Sequence, residues 1–237
     1  MKHTLTSAIF AVVLVLTLIS GAAYANNRPM ELTAETIEYD TNTGIVTAVG
    51  SVRLVQDGTV LTGSEATYNT KTQAALLKGG VKAVHEDATL TAEQVQAYDN
   101  NHLAASGNVV LVKGTSTVVG SRVDYYADRA YAQIISGAKL TTADGTMTAD
   151  TLEAFFDEDR AIGSGNVRFV SDVHNVDARA DQATYYGSQS GPGKIVLSGN
   201  ARAVQDGNVL TGNQLVIHLQ DRAVQAQGRT KLVITPE

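Results

Sequence analysis

The chain has 237 residues, a formal net charge of −6, 21 glycines, three prolines, no cysteine and no tryptophan. Without cysteine there is no disulfide scaffold, no thiolate metal site and no cysteine nucleophile. Its positive residues are scattered along the sequence, which argues against a nucleic-acid footprint.

The first 25 residues read as a secretory leader. Lys2 gives a positive start, Ala8 to Ile19 is almost wholly apolar, and Ala23-Tyr24-Ala25 is an A-x-A cleavage signal. The apolar run is short for a membrane span. Cleavage after Ala25 is therefore expected, leaving an exported chain that starts at Asn26 with residues 26–237 as one domain.

From there the sequence repeats itself. Val55-Gln56-Asp57-Gly58-Thr59-Val60-Leu61-Thr62-Gly63 recurs as Val204-Gln205-Asp206-Gly207-Asn208-Val209-Leu210-Thr211-Gly212, with one difference in nine positions. A glycine opens each unit at 50, 79, 107, 137, 165, 199 and 228, at intervals of 29, 28, 30, 28, 34 and 29 residues. A second small residue follows at Gly63, Ala92, Gly120, Ala149, Ala180 and Gly212. An aromatic comes next at Tyr68, Tyr98, Tyr125, Phe155 and Tyr185, replaced by His218 in the last full unit. Leu32-Thr33-Ala34-Glu35 is the tail of an incomplete leading unit, and Gly228 opens an incomplete closing one.

Each unit carries two turn signals. Asp57-Gly58, Asp144-Gly145 and Asp206-Gly207 have the Asp-Gly signature of a two-residue hairpin turn, in which both residues need positive φ. A second turn lies near Asn69, Asp99, Asp128, Asp157 and Asp221, and becomes the stretch from Gly187 to Gly193 in the long fifth unit. Segments of 10 to 15 residues between turns are long for strands, so each is expected to bend at its central Gly or Ala. Short hairpin loops exclude the parallel β-helix, whose rungs need longer crossovers. The predicted fold is all-β: a bent antiparallel sheet of about 29-residue units, folded over into two walls and a crease, and, if the walls stand apart, an apolar interior groove.

Hairpin register assigns the faces. Around Asp57-Gly58, Leu54 is expected opposite Leu61 and Val52 opposite Gly63 on one face, with Arg53 opposite Thr62 and Ser51 opposite Ser64 on the other. Around Asp144-Gly145 the same rule sets Leu140 opposite Ala149, Thr142 opposite Met147, and Lys139 opposite Asp150. Arg53, Lys82, Arg168, Arg202 and Lys231 each lie three residues after an opening glycine, with Lys139 one position off. Glu35, Glu93, Asp150 and Asp181 each follow a second small residue. The cations form either a basic ladder for anionic head groups or an ordinary solvated face of mixed charge.

The apolar face is rich in Val, Leu and Ala, and its two halves either pack tightly or leave a slot that suits acyl chains. Candidate lining residues are Val52, Leu54, Leu61, Val81, Leu90, Val109, Leu111, Leu140, Met147, Val167, Phe169 and Leu210. The ends of an open stack invite strand addition from another chain, with Leu32, Ile37, Leu232, Val233 and Ile234 as candidate edge positions.

No catalytic constellation is present. The histidines form no H-x-x-x-H pair, and His85-Glu86-Asp87 reads as a solvated turn. There is no G-x-S-x-G elbow and no phosphate-binding loop. No cofactor, metal or catalytic residue is expected.

The frame in Asp57-Gly58-Thr59-Val60-Leu61-Thr62-Gly63 with Ala66-Thr67-Tyr68, in Leu90-Thr91-Ala92-Glu93 with Tyr98-Asp99, and in Ala105-Ser106-Gly107-Asn108-Val109 resembles the OstA-like, or LptA-type, lipopolysaccharide-transport proteins. The likeness covers nearly all of residues 26–237. It implies a β-jellyroll, or taco, that binds lipid A in its groove, performs no reaction and stacks head to tail. It also implies a periplasmic bridge between inner-membrane and outer-membrane components of a transport machine in a diderm bacterium. The chain is longer than compact members of that family. The same fold occurs in an anchored inner-membrane partner, against which the expected cleavage argues, and in the plug-side domain of the translocon, against which the lack of a following barrel argues. A structural or adhesive β-repeat filament is the alternative function, and a periplasmic polysaccharide-active enzyme a third.

Overall fold

The computed structural model describes residues 30–56, 58–99, 101–187, 193–220 and 223–235. The expected leader with its cleavage point, Asp57 of the first hairpin, and the turn at 221–222 lie outside the described residues, as do 188–192 of the long turn.

Sixteen strands form one antiparallel sheet. In chain order they are β1 (Glu31–Thr33), β2 (Thr36–Asp40), β3 (Ile45–Gln56), β4 (Thr59–Asn69), β5 (Ala75–His85), β6 (Ala88–Ala97), β7 (His102–Lys113), β8 (Ser116–Tyr126), β9 (Tyr131–Thr142), β10 (Gly145–Phe155), β11 (Arg160–Ser171), β12 (Val176–Tyr186), β13 (Lys194–Gln205), β14 (Asn208–His218), β15 (Val224–Gln227) and β16 (Lys231–Val233). From β3 to β14 every strand pairs with its sequence neighbours. At one end β1 and β2 share β3, and at the other β15 and β16 share β14. The sheet is open, and among the described residues nothing pairs with its outermost edges.

Every long pairing is interrupted near its middle by a register shift, such as that between Val49 and Val52 on β3. There two residues adopt left-handed backbone: Gly50 at φ 83° and Ser51 at 48°, Gly107 at 80° and Asn108 at 48°, Gly165 at 75° and Asn166 at 48°. Six of the seven glycines expected to open units, Gly50 to Gly199, are thus mid-strand bulges on alternate strands, where glycine carries no steric penalty and asparagine a small one, and Gly228 lies between β15 and β16. A bulge bends its strand, and the bulges line up into a crease. On one side lies a first wall, closed by the hairpins β3–β4, β5–β6 and their equivalents. On the other lies a second wall, closed by the turns β4–β5, β6–β7 and so on.

Carboxylates close the crease from outside. Glu35 accepts from the Ser51 hydroxyl at 3.0 Å, Glu93 from Asn108 at 3.0 Å, Asp150 from Asn166 at 2.9 Å and Asp181 from Asn200 at 2.8 Å. The acidic residues after the second small positions therefore brace the bulges. The expected Ser51–Ser64 pair does not form, because Ser51 belongs to the bulge.

Two registers decide the expected hairpins. Around Gly58 the pairs are Leu54–Leu61, Arg53–Thr62 and Val52–Gly63, as read from sequence. At the fourth unit, however, Met147 faces Leu140 and Thr148 faces Lys139. The two-residue loop there is Ala143-Asp144, with Gly145 already in β10, so the expected Leu140–Ala149, Thr142–Met147 and Lys139–Asp150 pairs are replaced. The slip is two residues, and side chains alternate with period two, so every residue keeps its predicted face.

Candidate functional site between the two walls

The inner faces of both walls carry unbroken apolar rows that can be followed strand by strand. On the first wall the row runs Leu32, Leu54, Leu61, Ala83, Leu90, Leu111, Val118, Leu140, Met147, Phe169, Ala178, Ala203, Leu210, Leu232. A second inner row beside the crease contains Val52, Val81, Val109 and Val167. These belong to one continuous hydrophobic core. All twelve candidate lining residues point into it. Ten are buried, and Leu54 and Leu210 are half-buried near the two ends.

The sequence-based candidates cover only half of this interior. The second wall contributes Leu77, Val95, Val123, Ile134, Leu152, Leu197 and Leu215, all buried in the same core. They lie beyond the bulge, where the alternation count restarts, and register counted from a hairpin turn does not carry across it. The signal that finds them is the apolar alternation on the far side of each glycine, such as Leu103 and Ala105 before Gly107.

The aromatic series is split between faces. Tyr68, Tyr125 and Tyr185 pair within an inner row with Ala75, Ala132 and Ile195. Phe155 and His218 pair with Arg160 and Lys194 on the outer face, and Tyr98 stacks on outward His102 at 4.5 Å. The reason is countable. The inward residues follow their small residue by five positions and the outward ones by six, and one residue reverses the face. Burial pushes the Tyr125 and Tyr185 phenols up to about 12, helped by Asp157 and by Asp144 with Asp159 respectively. Both stay neutral at ordinary pH.

The interior opens at the sheet's C-terminal end. A cavity of about 540 Å³ lies there, lined by Ala203, Leu210, Val224, Ala226, Leu232 and Ile234 with polar Gln205, Asp206, Asn208 and Thr230 at its margin. That volume is in the range of small-molecule sites. Of the candidate edge residues, Leu32 and Leu232 end the first wall's inner row, and Ile37 pairs with Ala48 at the start of the second wall's. Ile37 and Leu232 are 47% and 57% exposed, because no further strand covers them. Val233 differs: it pairs with outward Val209 and sits on the outer face.

With this geometry in view, the comparisons are specific. The profile of the family described as LptA/(LptD N-terminal domain) LPS transport protein matches residues 66–160 and 89–223, together more than half of the chain. The chain belongs to this LPS (lipopolysaccharide) transport family. A second profile, lipopolysaccharide-assembly, LptC-related, matches residues 17–86. No curated protein matches the chain. Among solved structures it is similar to LptH, the LptA-homologous periplasmic component of the lipopolysaccharide transport device of Pseudomonas aeruginosa, at 15% identity over 88% of this chain and 96% of that one. The TM-score of that pairing is 0.19, so the fold rests on the strand pairing above.

The LptA/LptD-type profile runs from β4 through β14, which includes the packed middle of the interior. The outer faces of this LPS transport protein are unlike one another. The second wall carries a row of rings and cations: His102 stacks on Tyr126 at 4.4 Å, the Arg129 guanidinium lies 4.1 Å over Tyr126, and that of Arg160 lies 4.0 Å over Phe155. Beside it Asp124 bonds His102 at 2.9 Å and Arg122 at 2.5 and 2.6 Å. Burial raises that carboxyl's pKa, but the hydrogen bonds from Arg122 and His102 outweigh it and hold it below the usual range. Among the described residues the first wall carries no rings in its outer rows. Its outer row beside the crease is Thr33, Arg53, Thr62, Lys82, Thr91, Val110, Val119, Lys139, Thr148, Arg168, Arg179, Arg202, Thr211, Lys231. Lys139 falls in register because its bulge is Ser136-Gly137, with the glycine second.

Proposed function

We propose that this LPS transport protein is a non-catalytic periplasmic bridge that shields lipid A between its two walls on the way from inner to outer membrane. The observation that supports it is a single apolar interior running the length of an open sheet, with a cavity at one mouth and, among the described residues, unpaired outer strand edges at both ends. Acyl chains need a continuous aliphatic lining, and the inner rows of Leu, Val, Ile and Ala supply one without charge. Cleavage after Ala25 would release the chain into the periplasm.

The split end strands support stacking of copies. A second copy adding its β1–β2 edge to the β15–β16 edge would continue the ladder and join the inner rows, covering Ile37 and Leu232. The same edges suit inner- and outer-membrane partners that end in the same kind of sheet. Through the middle of the sheet the walls pack with the core residues almost fully buried. Lipid passage therefore requires the walls to part there, and the half-buried positions near the mouths are where contact begins.

A photo-crosslinker at Leu54 or Leu210, with Arg53 as outward control, tests the reading against purified lipopolysaccharide and ordinary phospholipid. Crosslinking of lipopolysaccharide at Leu54 and Leu210 with little at Arg53 is expected. No lipid at either inner position in a folded protein would sink the reading and favour a β-repeat filament with a dry core.

A further inference from the structure

We propose that the outer face of the first wall is a binding surface for a linear anionic glycan. The inference is independent of what the interior holds. It rests on the basic row, which the pairings align across twelve strand steps from β3 to β16.

Like charges directly opposite on neighbouring strands repel and destabilise a sheet. Arg168, Arg179 and Arg202 nevertheless face each other on three consecutive strands. Arg168 is paired with Asp177, at 2.8 and 3.0 Å. Among the described residues the other cations of the row form no salt bridge, and all are exposed. The crease carboxylates Asp150 and Asp181 accept from Asn166 and Asn200, which holds them at the bulges but leaves their charge in place. Asp177 also lies within electrostatic reach of Arg179 and Arg202, so three arginines share one carboxylate and the row carries an excess of positive charge in a chain of net charge −6. It attracts a polyanion.

The spacing and shape select the kind of polyanion. Cations recur on alternate strands over much of the row, roughly 9–10 Å apart. Between them stand the hydroxyls of Thr62, Thr148 and Thr211, and each keeps acceptor capacity for a hydroxylated chain. A sugar polymer with acidic groups at intervals matches cation, hydroxyl, cation. A flat bilayer does not, because adjacent strands rotate by roughly 20–25°. At that rate twelve steps would accumulate more than about half a turn, so a plane would meet only part of the row, while a flexible chain could follow it throughout.

The test measures binding of the purified protein to polygalacturonate, with dextran as the neutral glycan and phosphatidylglycerol vesicles as the anionic surface. Polygalacturonate is expected to bind and dextran not to. The affinity should fall about ten-fold or more between ~0.05 M and ~0.5 M salt, as screening predicts. Charge reversal in Arg179→Glu/Arg202→Glu should weaken it by a similar factor, with Lys113→Glu, off the row, changing it less than about two-fold. Circular dichroism checks that the variants keep their β structure. Equal loss in Lys113→Glu, equal binding of dextran, or absence of polygalacturonate binding would overturn the proposal. Vesicle binding that depends on Arg179 and Arg202, without polygalacturonate binding, would overturn it in favour of a membrane surface.

Discussion

The two walls have interchangeable inner faces and very different outer ones. Inside, both present Leu, Val, Ile and Ala in register, because one core is built by both and either wall alone would expose it. Outside, the second wall stacks His102, Tyr126, Tyr131 and Phe155 into a row with attractive neighbours. Such cross-strand pairs add stability. The first wall sets Arg168, Arg179 and Arg202 against each other, which subtracts from it. The core constrains the inner rows to one chemistry. The outer rows are free of it, so one of them serves the sheet and the other retains a cost that needs another explanation.

Truncating one buried leucine on each wall asks whether the core is truly shared. Leu111→Ala and Leu197→Ala should each destabilise by about 2–5 kcal/mol in urea unfolding, with a single transition in both cases. Two transitions, or one variant close to neutral, would break the equivalence of the inner faces.

The crease that separates the walls is tested next. A Cβ at Gly107 would stand 2.5 Å from the Glu93 side chain, in backbone at φ +80°, whereas one at Gly80, at φ +70°, meets nothing within 4 Å. Gly80→Ala should therefore cost only the left-handed penalty of about 1–2 kcal/mol. Gly107→Ala should cost more, since Glu93 must also leave Asn108. Equal losses would show that the carboxylate brace contributes nothing.

On the second wall, Asp124→Asn removes the charge and one of the two acceptor oxygens that Arg122 and His102 share, at a cost of about 1–3 kcal/mol. The sign with pH follows from its lowered native pKa. The stabilisation is complete above the ordinary carboxylate value and is lost as pH falls through the native one. Wild type should therefore lose stability on acidification more steeply than Asp124→Asn, and parallel acid limbs would contradict this.

The smallest effect belongs to the first wall and has the opposite direction. Arg179→Thr relieves two like-charge contacts and gives up one attraction to Asp177, which Arg168 already pairs; it should stabilise by roughly 0.2–1 kcal/mol at low salt, with the gain shrinking at high salt. Destabilisation would mean that the row is a structural asset like the aromatic one, and the contrast between the walls would fall.

Much of this was readable beforehand, and the failures have physical causes. The repeat frame located one glycine of each bulge from Gly50 to Gly199, because only residues tolerant of positive φ can stand there. The hairpin rule gave Leu54–Leu61 correctly and misjudged the fourth unit, where an Asp-Gly pair is shifted one place from the turn centre. Arg179 escaped the expected basic ladder because it lies on an even-numbered strand, outside the spacing from the glycines. It joins the row only by pairing between Arg168 and Arg202.

By itself, then, the sequence determined strand identity, the period of about 29 residues and the inward set of the first wall. These follow from local alternation, turn chemistry and glycine's freedom at positive φ. The tertiary structure decided what lies beyond each bulge. It chose which aromatics face in, which wall completes the core, which carboxylates brace the crease, and which cations meet across strands. Those outcomes depend on register between segments about 10 to 25 residues apart, and a one-residue difference in spacing reverses a face without leaving a local mark.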